Sequence, residues 1–224
     1  MIAELSRCPL FAQMTADDIR HCLTCSCSKL VAYEKDQPIF FQQDRPQKLF
    51  ILVEGSVAIC RDTVSGQRSR ITTISQPGEL FGEVFLFLNK QEYDNYAVAV
   101  SPSKVLQMPK EYLFRSCGKN CDYHKLLISN MLSVLAQKAY YLNQKLQIMA
   151  SPTLRQKISK LLLQNASADG TVTLRMNREE LADFLNTARP SLSRELMKMQ
   201  ADGLLRIDGK RIRVLDFEKL QKNL

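Results

Sequence analysis

Arg189 and Arg194 are the side chains of this sequence best suited to contact a nucleic-acid base. They lie near the start of the segment 189–202, which has helical periodicity and is ended by Gly203. An arginine on a helix in the DNA major groove donates two parallel hydrogen bonds to a guanine edge. We predict one buried helix face and an opposite face that meets the groove. The inward residues would be Leu192, Leu196 and Met199, and the outward residues Arg189, Pro190, Ser193, Arg194 and Met197.

The residues around this helix predict a winged helix-turn-helix. Residues 178–185 have the pattern of a first helix, residues 186–188 form a tight turn, and a hairpin follows with Asp208-Gly209 at a type I′ turn. Basic residues on such a wing contact phosphates. A solvated surface is the alternative role for each of them. The predicted DNA contacts are Thr187, Arg189, Pro190, Ser193, Arg194, Lys210 and Arg211, with Arg213 as a further phosphate contact.

Seven cysteines are the second set of residues with possible chemistry. Their odd number and an expected reducing compartment argue against a disulfide framework. Thiolates suit an iron-sulfur cluster or another thiophilic metal, and the candidate ligands are Cys22, Cys25, Cys27, Cys117 and Cys121. Three alternatives stay open: buried inert thiols, a redox switch in which two thiols pair on oxidation, and haem ligation by His124 or His21.

The elements that would position these residues begin with short β-rich runs between Leu30 and Pro109. Turn residues separate the runs, which predicts a small roll or barrel. Strands are expected at 48–53, 56–61 and 69–74. Thr15, followed by acidic residues, has the pattern of a helix N-cap before the roll.

The segment 122–150 contains neither glycine nor proline and keeps one heptad pattern throughout. Apolar residues at 3.5-residue spacing predict a coiled-coil helix that pairs with a second copy of the chain. A single amphipathic helix lying on its own domain is the alternative. The predicted parallel dimer interface comprises Ile128, Leu132, Leu135, Ala139, Leu142, Leu146 and Met149.

Ser151-Pro152 marks the expected start of the next helix, with the serine as N-cap and the proline at the first helical position. Asn177 and Glu180 have the spacing of a capping box that opens a later helix. We therefore divide the chain into a β-roll sensor domain (1–112), a linker and dimerisation helix (113–150) and a DNA-binding domain (151–224). The predicted fold class is α+β.

Composition excludes several classes of protein. The formal charge is +8, and residues 151–224 hold 14 Lys and Arg against 9 Asp and Glu, which favours a polyanionic partner. No apolar run approaches the ~18 residues of a membrane span, and residues 1–10 lack the pattern of a signal peptide, so we expect a cytoplasmic protein. With two histidines and no phosphate-cradling glycine loop or nucleophile–base pair, we expect no enzyme.

Two motifs and the order of the parts resemble the Crp/Fnr family, the regulators that include the cyclic-AMP receptor protein and the fumarate-nitrate regulator. Residues 77–83, Pro-Gly-Glu-Leu-Phe-Gly-Glu, resemble the loop of its cyclic-nucleotide domain, and residues 189–194, Arg-Pro-Ser-Leu-Ser-Arg, resemble its recognition helix. The resemblance covers nearly the whole chain. It implies a cyclic-nucleotide-binding-like β-roll, a long dimerisation helix and a winged helix-turn-helix, with the two cysteine segments as neighbours. The implied effector pocket includes Gly78, Glu79, Gly82, Glu83 and Tyr93.

Two departures from the family pattern change these expectations. Cyclic-nucleotide binders of the family clamp the phosphate with an Arg-Ser pair, where this sequence has Tyr93-Asp94. A carboxylate repels an anion and no nearby Lys or Arg replaces the missing cation, so we expect neither cyclic AMP nor cyclic GMP. Glu79 and Glu83 then have structural roles. Pro190 stands where many relatives place a glutamate that accepts from cytosine, so the DNA half-site should differ there.

Together these features predict an effector- or redox-responsive transcription regulator that binds a pseudo-palindromic double-stranded DNA site as a homodimer. RNA polymerase is an expected partner if the protein is an activator. The alternative is a small-molecule-binding dimer whose basic module binds DNA without sequence preference or binds another protein.

Overall fold

The computed structural model describes residues 2–62, 68–114, 122–174, 176–209 and 211–222. These residues form two compact units, Met1–Ala136 and Gln137–Leu224. The longest helix, Asp122–Met149, runs through the boundary and contributes to both units. Within the described ranges, every helix is too short or too polar to cross a membrane.

The first unit is a β-roll flanked by helices. Its strands are β1 (Lys29–Tyr33), β2 (Pro38–Phe40), β3 (Lys48–Glu54), β4 (Val57–Asp62), β5 (Arg68–Ile74), β6 (Leu80–Phe81), β7 (Tyr96–Ala99) and β8 (Ser103–Pro109). Its helices are α1 (Ile2–Leu5), a 3₁₀ turn (Pro9–Phe11), α2 (Ala16–Cys25), α3 (Glu83–Phe87), α4 (Lys110–Phe114) and the first part of α5 (Asp122–Met149). The three strands expected from the sequence are confirmed within one residue as β3, β4 and β5.

Two four-stranded antiparallel sheets form the roll, with strand orders β1-β8-β3-β6 and β2-β7-β4-β5. Successive side chains of a strand point to opposite faces. Strand β3 has five consecutive buried residues because both of its faces are covered. Leu49 and Ile51 pack with the helices, whereas Phe50 and Leu52 face the roll interior.

Two helices hold the first unit together from outside the roll. Helix α2 begins at the predicted N-cap, Thr15, whose hydroxyl accepts from the Asp18 N–H (3.1 Å) while the Asp18 carboxylate accepts from the Thr15 N–H (2.9 Å). Helix α5 packs Leu127, Met131 and Val134 into the core of this unit. The first part of α5 is thereby anchored by apolar burial.

The second unit is a winged helix-turn-helix. Its elements after α5 are α6 (Leu154–Asn165), β9 (Thr171–Thr173), α7 (Arg178–Phe184), α8 (Arg189–Ala201), β10 (Leu205–Asp208), β11 (Arg211–Val214) and α9 (Phe217–Lys222). The three strands form one antiparallel sheet in the order β10-β11-β9. The predicted α+β architecture of β-roll, long helix and winged helix-turn-helix is therefore confirmed.

Helix α6 begins later than the sequence suggests. Its N-cap is Thr153, whose hydroxyl accepts from the Gln156 N–H (3.2 Å) while the Gln156 side chain accepts from the Thr153 N–H (3.3 Å). The prediction of Ser151 as N-cap is wrong, because Ser151 is buried and its hydroxyl is oriented towards the Gln147 carbonyl (3.5 Å). The capping box at Thr153 satisfies two backbone donors, so it sets the start of the helix.

Candidate nucleic-acid interface and effector pocket

Helix α8 has the two faces predicted for it. Leu192, Leu196 and Met199 are buried in the core of the second unit. Pro190 occupies the first turn, where its missing N–H breaks no helical hydrogen bond. The solvent-exposed stripe consists of Arg189, Pro190, Ser193, Arg194 and Met197.

The turn that sets the angle between α7 and α8 is fixed by local hydrogen bonds. Asn186 adopts a left-handed φ of 51°, which asparagine tolerates better than most residues. The N–H of half-buried Thr187 donates to the Ala182 carbonyl (2.9 Å). At the other end of α7, the predicted capping box of Asn177 and Glu180 is confirmed. The order of helix, turn and helix thus follows from backbone hydrogen bonds and a capping box between residues close in sequence.

The arginines on the exposed stripe of α8 are weakly held. Arg194 Nε lies 3.4 Å from the Pro190 carbonyl oxygen, and Arg194 Nη2 lies 3.4 Å from the Ser191 hydroxyl. Within the described ranges, neither Arg189 nor Arg194 has a carboxylate oxygen within 4 Å. Both positive charges are therefore available to an anionic partner.

The wing carries a cluster of arginines on its exposed face. Strand pairing places Arg206 opposite Arg213 and Asp208 opposite Arg211. Like charges directly opposite each other destabilise an antiparallel pair, and an anion between them relieves the repulsion. The other face of these strands is buried through Leu205, Ile212 and Val214. The face therefore suits a phosphate backbone.

Arg206 is a candidate that our reading of the sequence missed. The signal for it is the alternation of buried and exposed residues from Leu205 to Asp208, which puts Arg206 on the same face as Asp208. The type I′ turn centred on Asp208-Gly209 is wrong, because Asp208 still pairs with Arg211 at the end of β10. Arg211 is exposed as predicted, whereas Lys210 lies outside the described residues.

The loop 77–83 packs closely against its surroundings. An added Cβ at Gly78, where φ is 92°, would lie 2.9 Å from the Cys8 Cα. At Gly82, where φ is 78°, it would lie 3.0 Å from the Phe50 ring. The Glu79 carboxylate accepts from two backbone N–H groups at 2.9 Å, and Glu83 is 4% exposed at the start of α3. These four residues shape the loop.

Aromatic side chains fill the interior of the roll. Tyr93 stacks on Phe40 with ring centroids 4.0 Å apart and meets Phe85 edge-on at 5.0 Å. Phe50 lies 5.4 Å from Phe40 and 5.3 Å from Phe81. The structure thus brings Tyr93 and Gly82 together around the Phe50 ring, whereas Gly78 faces Cys8.

Tyr93 also leaves a buried polar atom in this interior. Its hydroxyl has no hydrogen-bond partner among the described residues, and the side chain is 3% exposed. Burial, followed by the charge of Asp44, raises the pKa of this phenol far above its ordinary value. A cavity of about 290 Å³ adjoins the ring, with Arg45, Gln47 and Lys48 on its wall.

Asp94 forms an ion pair that the sequence did not reveal. Its carboxylate lies 2.6 Å from Nη2 of Arg61, and its carbonyl accepts from Arg61 Nε at 3.0 Å. The expectation that no Lys or Arg lies near Asp94 is therefore wrong. Arg61 comes from β4, some thirty residues away in sequence. Both contacts use the guanidinium edge formed by Nε and Nη2, and the Asp94 carboxylate balances the positive charge of Arg61.

The described cysteines do not by themselves fit a metal centre. Cys22 is buried, and burial raises the pKa of its thiol to about 11, whereas metals bind the thiolate. Cys25 and Cys27 are exposed, and Cys25 Sγ lies 3.2 Å from the Tyr123 hydroxyl. Within the described ranges, no three His, Cys, Asp or Glu side chains lie close enough to share a metal ion. Cys117 and Cys121 lie outside these ranges.

Both histidines pack against tyrosine rings. His124 is 7% exposed, stacks on Tyr112 at 4.6 Å, and places Nε2 2.9 Å from the Tyr112 carbonyl oxygen. His21 stacks on Tyr123 at 6.3 Å. Haem ligation by His124 would require this packing to open first.

The heptad residues lie on a face of α5 that is largely uncovered. Leu132, Leu142 and Leu146 are 64%, 57% and 66% exposed. Ala139 is also exposed, and the remaining members, Ile128, Leu135 and Met149, are half-buried. A stripe of exposed leucines is unfavourable in water, so this face favours a partner.

Two family models match this chain. Residues 30–120 match the cyclic nucleotide-binding domain, and residues 156–223 match the Crp-like helix-turn-helix domain. Together they cover the roll, part of the linker and the winged helix-turn-helix.

Relatives of known function match over most of the length. The cyclic AMP receptor protein of Thermus thermophilus is 25% identical over 214 residues, covering 96% of this chain and 95% of its own. The nitrogen fixation regulation protein FixK of Azorhizobium caulinodans is 26% identical over 187 residues, covering 80% and 72%.

Solved structures agree with the fold. The catabolite activator protein of Thermus thermophilus has a TM-score of 0.52 at 26% identity, covering 96% of this chain and 97% of that one. The c-di-GMP responsive global regulator CLP of Xanthomonas campestris has a TM-score of 0.54 at 21% identity, covering 90% and 100%.

Proposed function

Because the chain belongs to the Crp/Fnr family of DNA-binding transcription regulators, we propose that it reads a pseudo-palindromic site as a homodimer and responds to a signal other than a cyclic nucleotide. The exposed arginine stripe of α8, free of acidic partners in the described ranges, carries the proposal of sequence reading. The wing arginines would hold phosphates and set the register. A dimer would then present two α8 helices to half-sites about 34 Å apart.

Gel shifts with an operator selected from genomic fragments test this reading. We expect Arg194→Ala to weaken operator binding by about 1–3 kcal/mol, because a bidentate contact to guanine is lost. Lys219→Ala in α9 removes a cation from the same unit and serves as the control. Unchanged operator affinity in Arg194→Ala would show that α8 is not the reading helix. Binding of all sequences alike would favour the alternative of a non-specific DNA-binding or protein-interaction module.

The dimer rests on the uncovered stripe of α5. Leucines at positions 132, 142 and 146 repeat with coiled-coil spacing and are exposed, whereas Leu127 and Met131 on a neighbouring face are buried. Exposed Ala139 in the same stripe would let two backbones approach closely at that level.

Three features support a signal other than cyclic AMP or cyclic GMP. First, Tyr93 and Asp94 occupy the positions where a cyclic phosphate needs a cation and a hydroxyl. Second, the positive charge of Arg61 is paired with the Asp94 carboxylate. Third, aromatic rings fill the interior of the roll, where the nucleotide would bind. Calorimetry should detect no binding of either nucleotide at micromolar concentrations. Micromolar binding of either nucleotide would refute the proposal.

The cysteines are the candidate sensor of the signal. They would act either as thiols that oxidise or as ligands of a metal centre that includes Cys117 or Cys121 in addition to the described cysteines. Anaerobic purification with iron, zinc and sulfide analysis tests for a metal centre, and metal-free protein would eliminate it. Equal DNA affinity of reduced and mildly oxidised protein would eliminate the thiol switch. If the protein is an activator, RNA polymerase is the proposed further partner.

A further inference from the structure

We propose that Arg155 is a positioning residue that fixes the orientation of the reading helix α8 and thereby determines how well the protein discriminates its operator. This inference rests on the proposed function. Arg155 lies in the first turn of α6 and does not belong to the exposed stripe of α8. Its guanidinium reaches α8 at two points.

The first point is the flank of α8, and the second is its C-terminal end. Arg155 Nε lies 2.5 Å from the Glu195 carboxylate, and Nη1 lies 2.8 Å from the Asp202 carboxylate. Glu195 follows Arg194 directly, and Asp202 is the C-cap of the helix. The two acids are seven residues apart, which is about two helical turns or ~10 Å along the axis. Two such anchors on one rigid guanidinium restrain both the roll and the tilt of α8.

Burial makes the contact of Arg155 with Glu195 stronger than an ordinary surface ion pair, whereas Asp202 is 42% exposed. The side chains of Arg155 and Glu195 are 25% and 22% exposed. Exposed pairs contribute little because water screens them, whereas a partly buried pair with good geometry retains its directional hydrogen bonds. Breaking one partner of such a pair leaves the other charge poorly solvated.

Arg155 holds Glu195 from the protein side, and neither residue belongs to the exposed stripe of α8. The guanidinium of Arg155 thus serves DNA reading without touching DNA.

A double-mutant cycle on the full chain tests the assignment. The variants are Arg155→Met, which keeps the aliphatic stem, Glu195→Gln, which keeps the shape, and the double variant. Lys219→Met in α9, which breaks the ion pair of Lys219 with Asp216, is the matched control. Each protein is titrated against the selected operator and against an unrelated duplex of equal length at one salt concentration, and each is melted by circular dichroism.

We expect Arg155→Met to weaken operator binding about tenfold, or 1.4 kcal/mol, with less than about a twofold change on the unrelated duplex. The double variant should bind no worse than Arg155→Met, because both substitutions remove the same contact. A purely structural role would lower the melting temperature and weaken both duplexes equally. Equal loss on both duplexes, no loss, or multiplicative effects in the double variant would overturn the assignment.

If Arg155→Met does not fold, the milder Glu195→Gln variant decides the test. Its ratio of affinities for the operator and the unrelated duplex must then fall by at least about threefold. An unchanged ratio overturns the assignment. Failure of the wild-type protein to distinguish the two duplexes would instead refute the proposed function itself, and the inference with it.

Discussion

At the scale of single residues, four of the described cysteines fall into two groups that differ in burial. Cys8 and Cys22 are buried, and burial raises the pKa of each thiol to about 11. Cys25 and Cys27 reach the surface. Because the thiolate is the species that reacts and binds metals, the buried pair is unreactive in the folded protein.

Iodoacetamide labelling under native conditions should therefore modify Cys25 and Cys27 well before Cys8 and Cys22. The measurement is peptide mass spectrometry after timed labelling at pH 7.5, and the same reaction in denaturant, where all four should label alike, is the control. Labelling of Cys22 as fast as Cys25 would contradict its burial in the first unit and would return it to the candidates for redox chemistry.

At the scale of elements, the parts governed by neighbouring residues were predictable from sequence. The caps at Thr15 and Asn177 are examples, because each depends on a side chain three residues later. The prediction of Ser151 as N-cap was wrong because Thr153 and Gln156 form a capping box that starts the helix two residues later. Contacts between residues far apart in sequence could not be predicted. An example is the stack of Phe40 on Tyr93, which joins segments more than fifty residues apart.

The link between α6 and β9 gives a pH-dependent prediction. Asp169 accepts from the Ser167 hydroxyl (2.6 Å) and from the Thr171 hydroxyl (2.8 Å), and these hydrogen bonds lower the pKa of the carboxyl from 3.8 to about 2. A lowered pKa in the folded state stabilises the fold above the unfolded pKa, and this stabilisation is lost as the pH falls through the folded pKa.

Asp169→Asn should therefore melt at a lower temperature than wild type at pH 7, and the difference should shrink between pH 4 and pH 2. Melting curves across this range give the measurement. Asp17→Asn, at an exposed position in α2, controls for the loss of one charge. A difference in melting temperature that stays constant with pH would show that the hydrogen bonds do not depend on the ionised carboxylate.

At the scale of the whole molecule, helix α5 combines two faces with different partners. Leu127, Met131 and Val134 belong to the core of the first unit, and Ile148 belongs to that of the second. Leu132, Leu142 and Leu146 are exposed among the described residues, whereas Leu135 of the same heptad pattern packs against the first core. The heptad pattern revealed this stripe in the sequence, whereas the second, buried face emerged only from the fold.

Leu142→Glu should weaken dimerisation by at least about tenfold, since two carboxylates would face each other in an apolar seam. Ser133→Glu, on an exposed position outside the stripe, provides the control. Sedimentation velocity over a dilution series measures the dissociation, and operator binding should weaken in parallel. A Leu142→Glu protein that remains as dimeric as the control would place the interface elsewhere.

The arginine pair of the wing has a consequence for the protein when it is free of DNA. Arg206 and Arg213 face each other across β10 and β11, so the free hairpin carries its own repulsion. Added salt screens that repulsion, yet the same salt weakens the proposed attachment of the wing to the phosphate backbone. Salt therefore acts in opposite directions on the Arg206–Arg213 pair of the free wing and on the contact of that pair with DNA.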